Sequence, residues 1–299
     1  MENPQTQITK AVIIAAGFGT RFLPATKNQP KEMLPIIDKP ILHYVVEEAV
    51  NSGIRDIILV TRFGNHLIED YFDNRYELEA QLESSRKTKR LEMVRNIPQM
   101  ANFVYVRQKG HLPYGNGSPL IAIKELIDEN DSFVYMFADD LTWCNGFPPI
   151  TKQLIDAYLE HNAVAAVGVQ EVPWEEVDRY GTVKYKDENG CEVEGIMEKL
   201  PKEEAYSNKV QFGRFVFSYD VIRKAEETKP GKDNELWVSD ILNELAHEGK
   251  KVIAPPIKGE WLTTGDPLRY LKTSIKFALR RDDLREKILD FIKNEASES

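Results

Sequence analysis

Cysteine is scarce in this 299-residue chain: Cys144 and Cys191 are the only two, too few for a disulfide framework or a zinc site of four thiolates. Long apolar runs are missing as well. None approaches the roughly 20 residues that a membrane span requires, and residues 1–10 are polar, without the apolar core of a signal peptide. These absences lead to the expectation of a soluble, cytoplasmic protein. Basic charge is in deficit: 39 Lys and Arg stand against 48 Asp and Glu, for a formal net charge of −9. That excludes a surface built to follow nucleic acid or an anionic membrane, but leaves room for a local basic pocket. The histidines His43, His66, His111, His161 and His247 are scattered without the spacing of metal ligands. No solenoid repeat, low-complexity tract or linker interrupts the chain, so one continuous domain over residues 1–299 is expected.

What is present is an alternation of apolar strands and amphipathic helices, with 42% hydrophobic residues to build a core. Residues 11–16 (AVIIAA) read as a buried strand running into a tight glycine turn. Asp38 and Pro40 start a helix in which Ile41, Leu42, Val45, Val46 and Ala49 recur at helical spacing, and Gly53 ends it. Residues 55–61 read as a second buried strand, with further strands at 103–107, 133–137 and 164–169. The pattern predicts an α/β fold: a mostly parallel, Rossmann-like central sheet flanked by helices. The charged stretch 76–95 has helical spacing and is expected as solvated helix. Alternation around Glu188-Asn189-Gly190 predicts an antiparallel hairpin insertion. Leu268, Leu271, Ile275 and Ala278 mark an amphipathic C-terminal helix.

Two constellations carry chemistry. Gly17-Phe18-Gly19-Thr20-Arg21 comes directly off the first strand, where freed backbone amides can face an anion. Arg21, Lys27 and Lys31 follow on a proline-stiffened loop, as a triphosphate site in an acidic protein requires. A dinucleotide-binding loop fits poorly, because the third glycine of that fingerprint is replaced by Phe22 and the second strand ends in Val60-Thr61-Arg62 without a carboxylate. The second constellation, Asp139-Asp140, follows the strand FVYMF. An Asp at the carboxyl end of a parallel strand faces the ligand crevice and suits Mg²⁺, and Asp139 is the expected ligand.

Residues 17–36, GFGTRFLPATKNQPKEMLPI, resemble the signature of the sugar-1-phosphate nucleotidyltransferase family, and the PKEMLPI ending resembles its glucose-1-phosphate uridylyltransferase branch. The resemblance continues in family order through FDNRYELEAQLE, YVRQ, FADDL, VDRYGTV, IMEKLPKEEAYSN, FGRFVFS and GDPLRYLKTSIKFALRR.

It implies transfer of a uridylyl group from UTP to glucose-1-phosphate, with Mg²⁺ as cofactor, in a homo-oligomer. By the same resemblance Ala15, Ala16, Gly17, Gly19 and Thr20 lie along the nucleotide, with Glu32 and Gln108 on the uracil. Gly115 and Gly117 line the nucleoside pocket. Arg21 and Lys31 hold the triphosphate. Gly181 and Glu198 meet the sugar, Lys199 its phosphate, and Gly213 with Arg214 closes the sugar side. Three positions depart from the family pattern: Thr263 stands where a second metal-binding Asp is expected, Ser118-Pro119 replaces His-Ala, and Leu200 replaces a proline. The Thr263 departure keeps a non-catalytic sugar-nucleotide sensor in view as an alternative. An NAD-dependent oxidoreductase is the other, disfavoured by the glycine spacing.

Overall fold

The computed structural model of the chain describes residues 7–298. Its strands in chain order are β1 Lys10–Ala15, β2 Pro35–Ile36, β3 Lys39–Pro40, β4 Asp56–Thr61, β5 Asn102–Arg107, β6 Ser132–Phe137, β7 Asp140–Trp143, β8 Ala165–Glu171, β9 Gly181–Tyr185, β10 Val193–Glu198, β11 Lys209–Ser218, β12 Val252–Ile253 and β13 Glu260–Thr263. The α-helices are α1 Ile41–Asn51, α2 His66–Tyr71, α3 Tyr76–Ser84, α4 Thr88–Asn96, α5 Ser118–Ala122, α6 Ile150–His161, α7 Tyr219–Glu227, α8 Val238–His247, α9 Pro267–Leu279 and α10 Arg285–Glu298.

Nine strands form the main sheet in the order β10-β9-β11-β6-β1-β4-β5, with β8 beside β11 and β12 beside β8. The strands β6, β1, β4 and β5 run parallel. Alternation along β1 shows why its sequence is apolar throughout: Ala11, Ile13 and Ala15 enter the core beneath α1 and α6, while Val12 enters the opposite core with residues of α5, α7 and α8. A strand covered on both faces has no polar side to present. Each such fully buried Val or Ile contributes about 1.5–3 kcal/mol relative to exposure. The predicted hairpin is β9–β10, antiparallel at the edge of the sheet.

Several elements differ from the sequence expectation. Residues 76–95 form two helices, α3 and α4, because the chain turns at Arg86, whose φ is 54°. The turn is closed by Lys87 N donating to Leu82 O at 2.9 Å, and no glycine or proline marked it. In α9 the buried residues are Thr273, Phe277 and Ala278, so the stripe begun by Leu268 and Leu271 faces outward, at 60% and 56% exposure. Aromatic packing sets that rotation: the Phe277 ring lies 4.9 Å from Tyr44 and 6.1 Å from Trp143. The long strand β11, the pair β7–β13 and the helix α10 were not foreseen. Among the described residues no helix is long and apolar enough to cross a membrane.

Candidate active site

The carboxyl ends of β1, β5 and β6 open into a cleft of about 330 Å³, closed on its far side by β9, β10 and the end of β13. This is the edge at which parallel α/β sheets bind ligands. Of the residues expected from the sequence, Ala16, Gly17, Arg21, Lys31, Glu32, Gln108, Gly115, Asp139, Gly181, Glu198 and Lys199 line it.

The others do not line it. Ala15 is fully buried in the core beneath β1. Gly19, at φ 64°, shapes the turn while its carbonyl accepts from Thr26 Oγ1 at 2.7 Å, and the exposed Thr20 begins a single 3-10 turn whose Phe22 is buried. Gly117 is a packing glycine, since a Cβ there would fall 2.9 Å from Ile241 Cδ1. At Gly213 a Cβ would fall 2.4 Å from Phe137 Cβ, and its N–H donates to Asp140 Oδ2 at 2.9 Å. Arg214 is fully buried beneath the cleft, donating to Glu48 and to the carbonyls of Phe137, Gly213 and Asp140.

At the glycine-loop end, Lys31 Nζ donates to Asp139 Oδ2 at 2.5 Å. Burial disfavours both charges, but each offsets the other, so Asp139 is held below the ordinary carboxylate range and Lys31 above the ordinary ammonium value. Asp140 points the other way, accepting from Trp261 Nε1 at 2.7 Å and from Gly213 N. Burial and the Asp139 charge raise it to about 6. Adjacent carboxylates thus take different roles because one faces a cation in the cleft and the other a buried N–H pair. The backbone of Asp139 is fixed from the residue that follows β13, where Thr264 N and Oγ1 donate to its carbonyl at 2.8 and 2.7 Å. Glu32 is buried, which raises it to about 7, and its Oε2 has no partner. A buried carboxyl oxygen without a donor, on the wall of a cleft, suits an N–H of a ligand.

At the other end, Glu198 and Gly181 pair in the β9–β10 ladder. Lys199 follows with φ 48°, and its ammonium lies 4.1 Å from the centroid of the Trp237 ring. Arg179, Tyr180, Gln211, Trp237 and Trp261 also line the cleft and were not assigned from the sequence. Trp261 lies in the WLTTG segment that the sequence had marked only for Thr263. Nothing local distinguishes Trp237 or Gln211 from core residues, because their placement depends on α8 packing against β10 and on β11 pairing beside β9. Asp266, the near neighbour of Thr263, caps α9: its Oδ1 accepts from Arg269 N at 3.0 Å and its Oδ2 from Arg179 at 3.1 Å. Among the described residues no cluster of three or more His, Cys, Asp or Glu forms a ready-made metal cage.

A parallel sheet whose strand ends gather a glycine loop, Arg21, Lys31, an Asp and a distant Lys around one cleft defines a nucleotidyl-transferring protein. The nucleotidyl transferase family model matches residues 10–278, and the chain belongs to that family. It is 38% identical to the UTP–glucose-1-phosphate uridylyltransferase of Bacillus subtilis (strain 168) over 96% of this chain and 97% of that one. A UDP-glucose pyrophosphorylase complexed with UDP-glucose superposes with a TM-score of 0.82 at 36% identity, over 92% of this chain and 100% of that one. A UTP-bound UGPase from Acinetobacter baumannii gives a TM-score of 0.84 at 33% identity, over 96% of this chain and 99% of that one. Family membership removes the NAD-dependent oxidoreductase, in keeping with a glycine loop that enters a single 3-10 turn instead of opening a long helix.

Proposed function

We propose that the protein transfers the uridylyl group of UTP to glucose-1-phosphate, giving UDP-glucose and pyrophosphate. A phosphate oxygen of the sugar attacks the α-phosphorus of UTP, and the bond from that phosphorus to the pyrophosphate oxygen breaks. The observation that carries this reading is one continuous cleft with cations at both ends: Arg21 and Lys31 on the glycine-loop side, and Lys199 at the end of β10. Two polyanions have to lie side by side for the reaction. Fixed cations at each end orient them and offset charge on the transferring phosphorus, so no protein nucleophile is required. Glu32 and Gln108 supply an acceptor and an amide to the imide edge of uracil, and Glu198 accepts from the hydroxyls of glucose.

The residues fit a divalent cation, which we take to be Mg²⁺. Asp139 offers one carboxylate on the cleft wall and Thr263 a hydroxyl beside it, while Asp266 is committed to capping α9. Mg²⁺ suits such a sparse donor set because it keeps waters and shares phosphate oxygens. When bound, it supplies positive charge to the phosphate oxygens. Lys31 then bridges Asp139 and the triphosphate, and the Asp139 backbone stays fixed through Thr264.

The substrates imply a cytoplasmic reaction. We expect a homo-oligomer, and the exposed apolar side chains Leu268 and Leu271 of α9 and Phe291 of α10 are candidates for its contacts. The test of function is a matrix of nucleoside triphosphates against sugar 1-phosphates with pyrophosphate release as readout. The expected maximum is UTP with glucose-1-phosphate. Binding of both without release would favour the sensor.

A further inference from the structure

Gln211 lies in β11 beside an irregularity of the ladder: Gln211 pairs with Val169 of β8, and regular pairing resumes only at Phe215 with Val167. Such bulges re-aim a side chain next to a site. Here the Gln211 side chain reaches the sugar end of the cleft while the residue stays 7% exposed. Its Nε2 donates to Glu198 Oε2 at 3.1 Å, and Ser239 Oγ donates to the same oxygen at 3.1 Å. That contact fixes the amide, because the nitrogen has to face the carboxylate. The carbonyl oxygen, Oε1, is left buried and without a partner. Gly181 makes room for the pair: a Cβ there would fall 2.6 Å from Gln211 Nε2 and 2.9 Å from Glu198 Oε2.

Buried carbonyl oxygens are nearly always satisfied, and an unpartnered one on a cleft wall awaits a donor. Around it stand Glu198, itself an acceptor, and the aromatic side chains of Tyr180, Phe212, Trp237 and Trp261. Acceptors on the floor and aromatic walls suit a pyranose ring, which presents hydroxyl donors at its edge and apolar C–H groups on its faces.

We infer that Gln211 determines sugar specificity: its carbonyl oxygen accepts a hydrogen bond from one ring hydroxyl of a hexose 1-phosphate, next to the hydroxyl taken by Glu198. The inference rests on the proposed reading of this end of the cleft as the sugar site. A sugar lacking that hydroxyl leaves a buried acceptor unpaired, and sites that read a hydroxyl in this way reject the analogue lacking it more strongly than an apolar pocket rejects a change of size.

The experiment is a cycle of substrate against variant. kcat/KM is measured with UTP for glucose-1-phosphate and for its 2-, 3-, 4- and 6-deoxyfluoro analogues, in the parent and in Gln211→Met. Fluorine keeps the size of a hydroxyl but cannot donate. In the parent, two neighbouring analogues should each lose about 10- to 100-fold, one for the hydroxyl on Gln211 and one for the hydroxyl on Glu198. In Gln211→Met the loss for one of the two should collapse to within about threefold while the other persists, with KM for UTP unchanged. Analogue losses that stay the same in parent and variant overturn the inference, including a uniform drop for every sugar, which is what a merely structural Gln211 would give. Gln211→Leu replaces Gln211→Met if the latter melts early. Calorimetric titration of the same sugars gives the cycle independently of turnover. Absence of pyrophosphate release in the parent would therefore sink the proposed reaction, while the binding cycle would still decide Gln211.

Discussion

Lys31 and Asp139 come from segments far apart in the sequence and meet at 2.5 Å on the cleft wall. Asp139→Asn removes the partner of that ammonium and the carboxylate proposed for Mg²⁺ in a single step. Turnover is expected to fall at least ~100-fold, the scale of losing a group that fixes transition-state charge, measured where circular dichroism shows the variant folded, because the Lys31 ammonium left without its partner lowers the urea midpoint as well. Full activity at ordinary Mg²⁺ would remove Asp139 from the mechanism. Glu32 gives a prediction about pH. Burial raises its carboxyl from 4.5 to about 7, so the folded protein holds that proton more tightly than the unfolded chain does. The resulting stability is complete below about pH 4.5 and is lost as pH rises through about 7. Glu32→Gln, neutral throughout, should therefore be more stable than the parent at pH 8 by roughly 1–3 kcal/mol, with the gain gone at pH 4. Urea melts of the ligand-free protein at the two pH values decide it, and an equal gain at both would show that the carboxyl does not titrate in this range.

The elements show where sequence signals acted and where packing overruled them. The structure has Asp266 as N-cap and Pro267 as the first residue of α9, residue types suited to starting a helix. Asp266→Ala should cost about 1 kcal/mol of stability through the lost cap. Asp266→Ser, which keeps a capping oxygen, should retain the parent's pyrophosphate release. Crippled release in Asp266→Ser would instead make Asp266 a member of the site. The face of α9 was less legible than its start. Leucine spacing pointed to one stripe, but the ring of Phe277 finds Tyr44 and Trp143, and such aromatic pairs add about 0.5–1.5 kcal/mol beyond the area they bury. The break between α3 and α4 was hidden because a left-handed Arg86 carries no compositional mark.

Across the whole molecule, one buried ion pair ties the first helix to the floor of the site. Glu48 of α1 accepts from Arg214 Nη2 at 2.7 Å, with side-chain exposures of 8% and 0%, and also from Thr142 and Thr151 at the start of α6. Arg214 in turn holds the carbonyls of Phe137 and Asp140, which flank Asp139. Burial disfavours the Glu48 charge, but the guanidinium outweighs it and keeps that carboxyl below its ordinary value. Glu48→Ala would leave a buried guanidinium without its counterion, at an expected cost of about 3–5 kcal/mol. Urea denaturation measures this, and a loss under 1 kcal/mol would show that the pair is not holding the floor in place.

Local chemistry made much of the protein legible in advance. Apolar runs marked β1, β4 and β6, because a strand buried on both faces leaves no room for polar residues. The glycine loop, its cations and Asp139 were legible as chemistry because strand ends and proline-stiffened loops keep neighbours in sequence close in space. The resemblance added Gln108, Glu198 and Lys199 to one site, and the structure brings all three to the same cleft. What only the tertiary structure decided is the far end of the cleft and its floor: Gln211 beside a bulge of β11, Trp237 where the chain enters α8, and the buried Glu48–Arg214 pair beneath Phe137 and Asp140. Each depends on segments distant in sequence packing against one another, and no periodicity within a single segment records that.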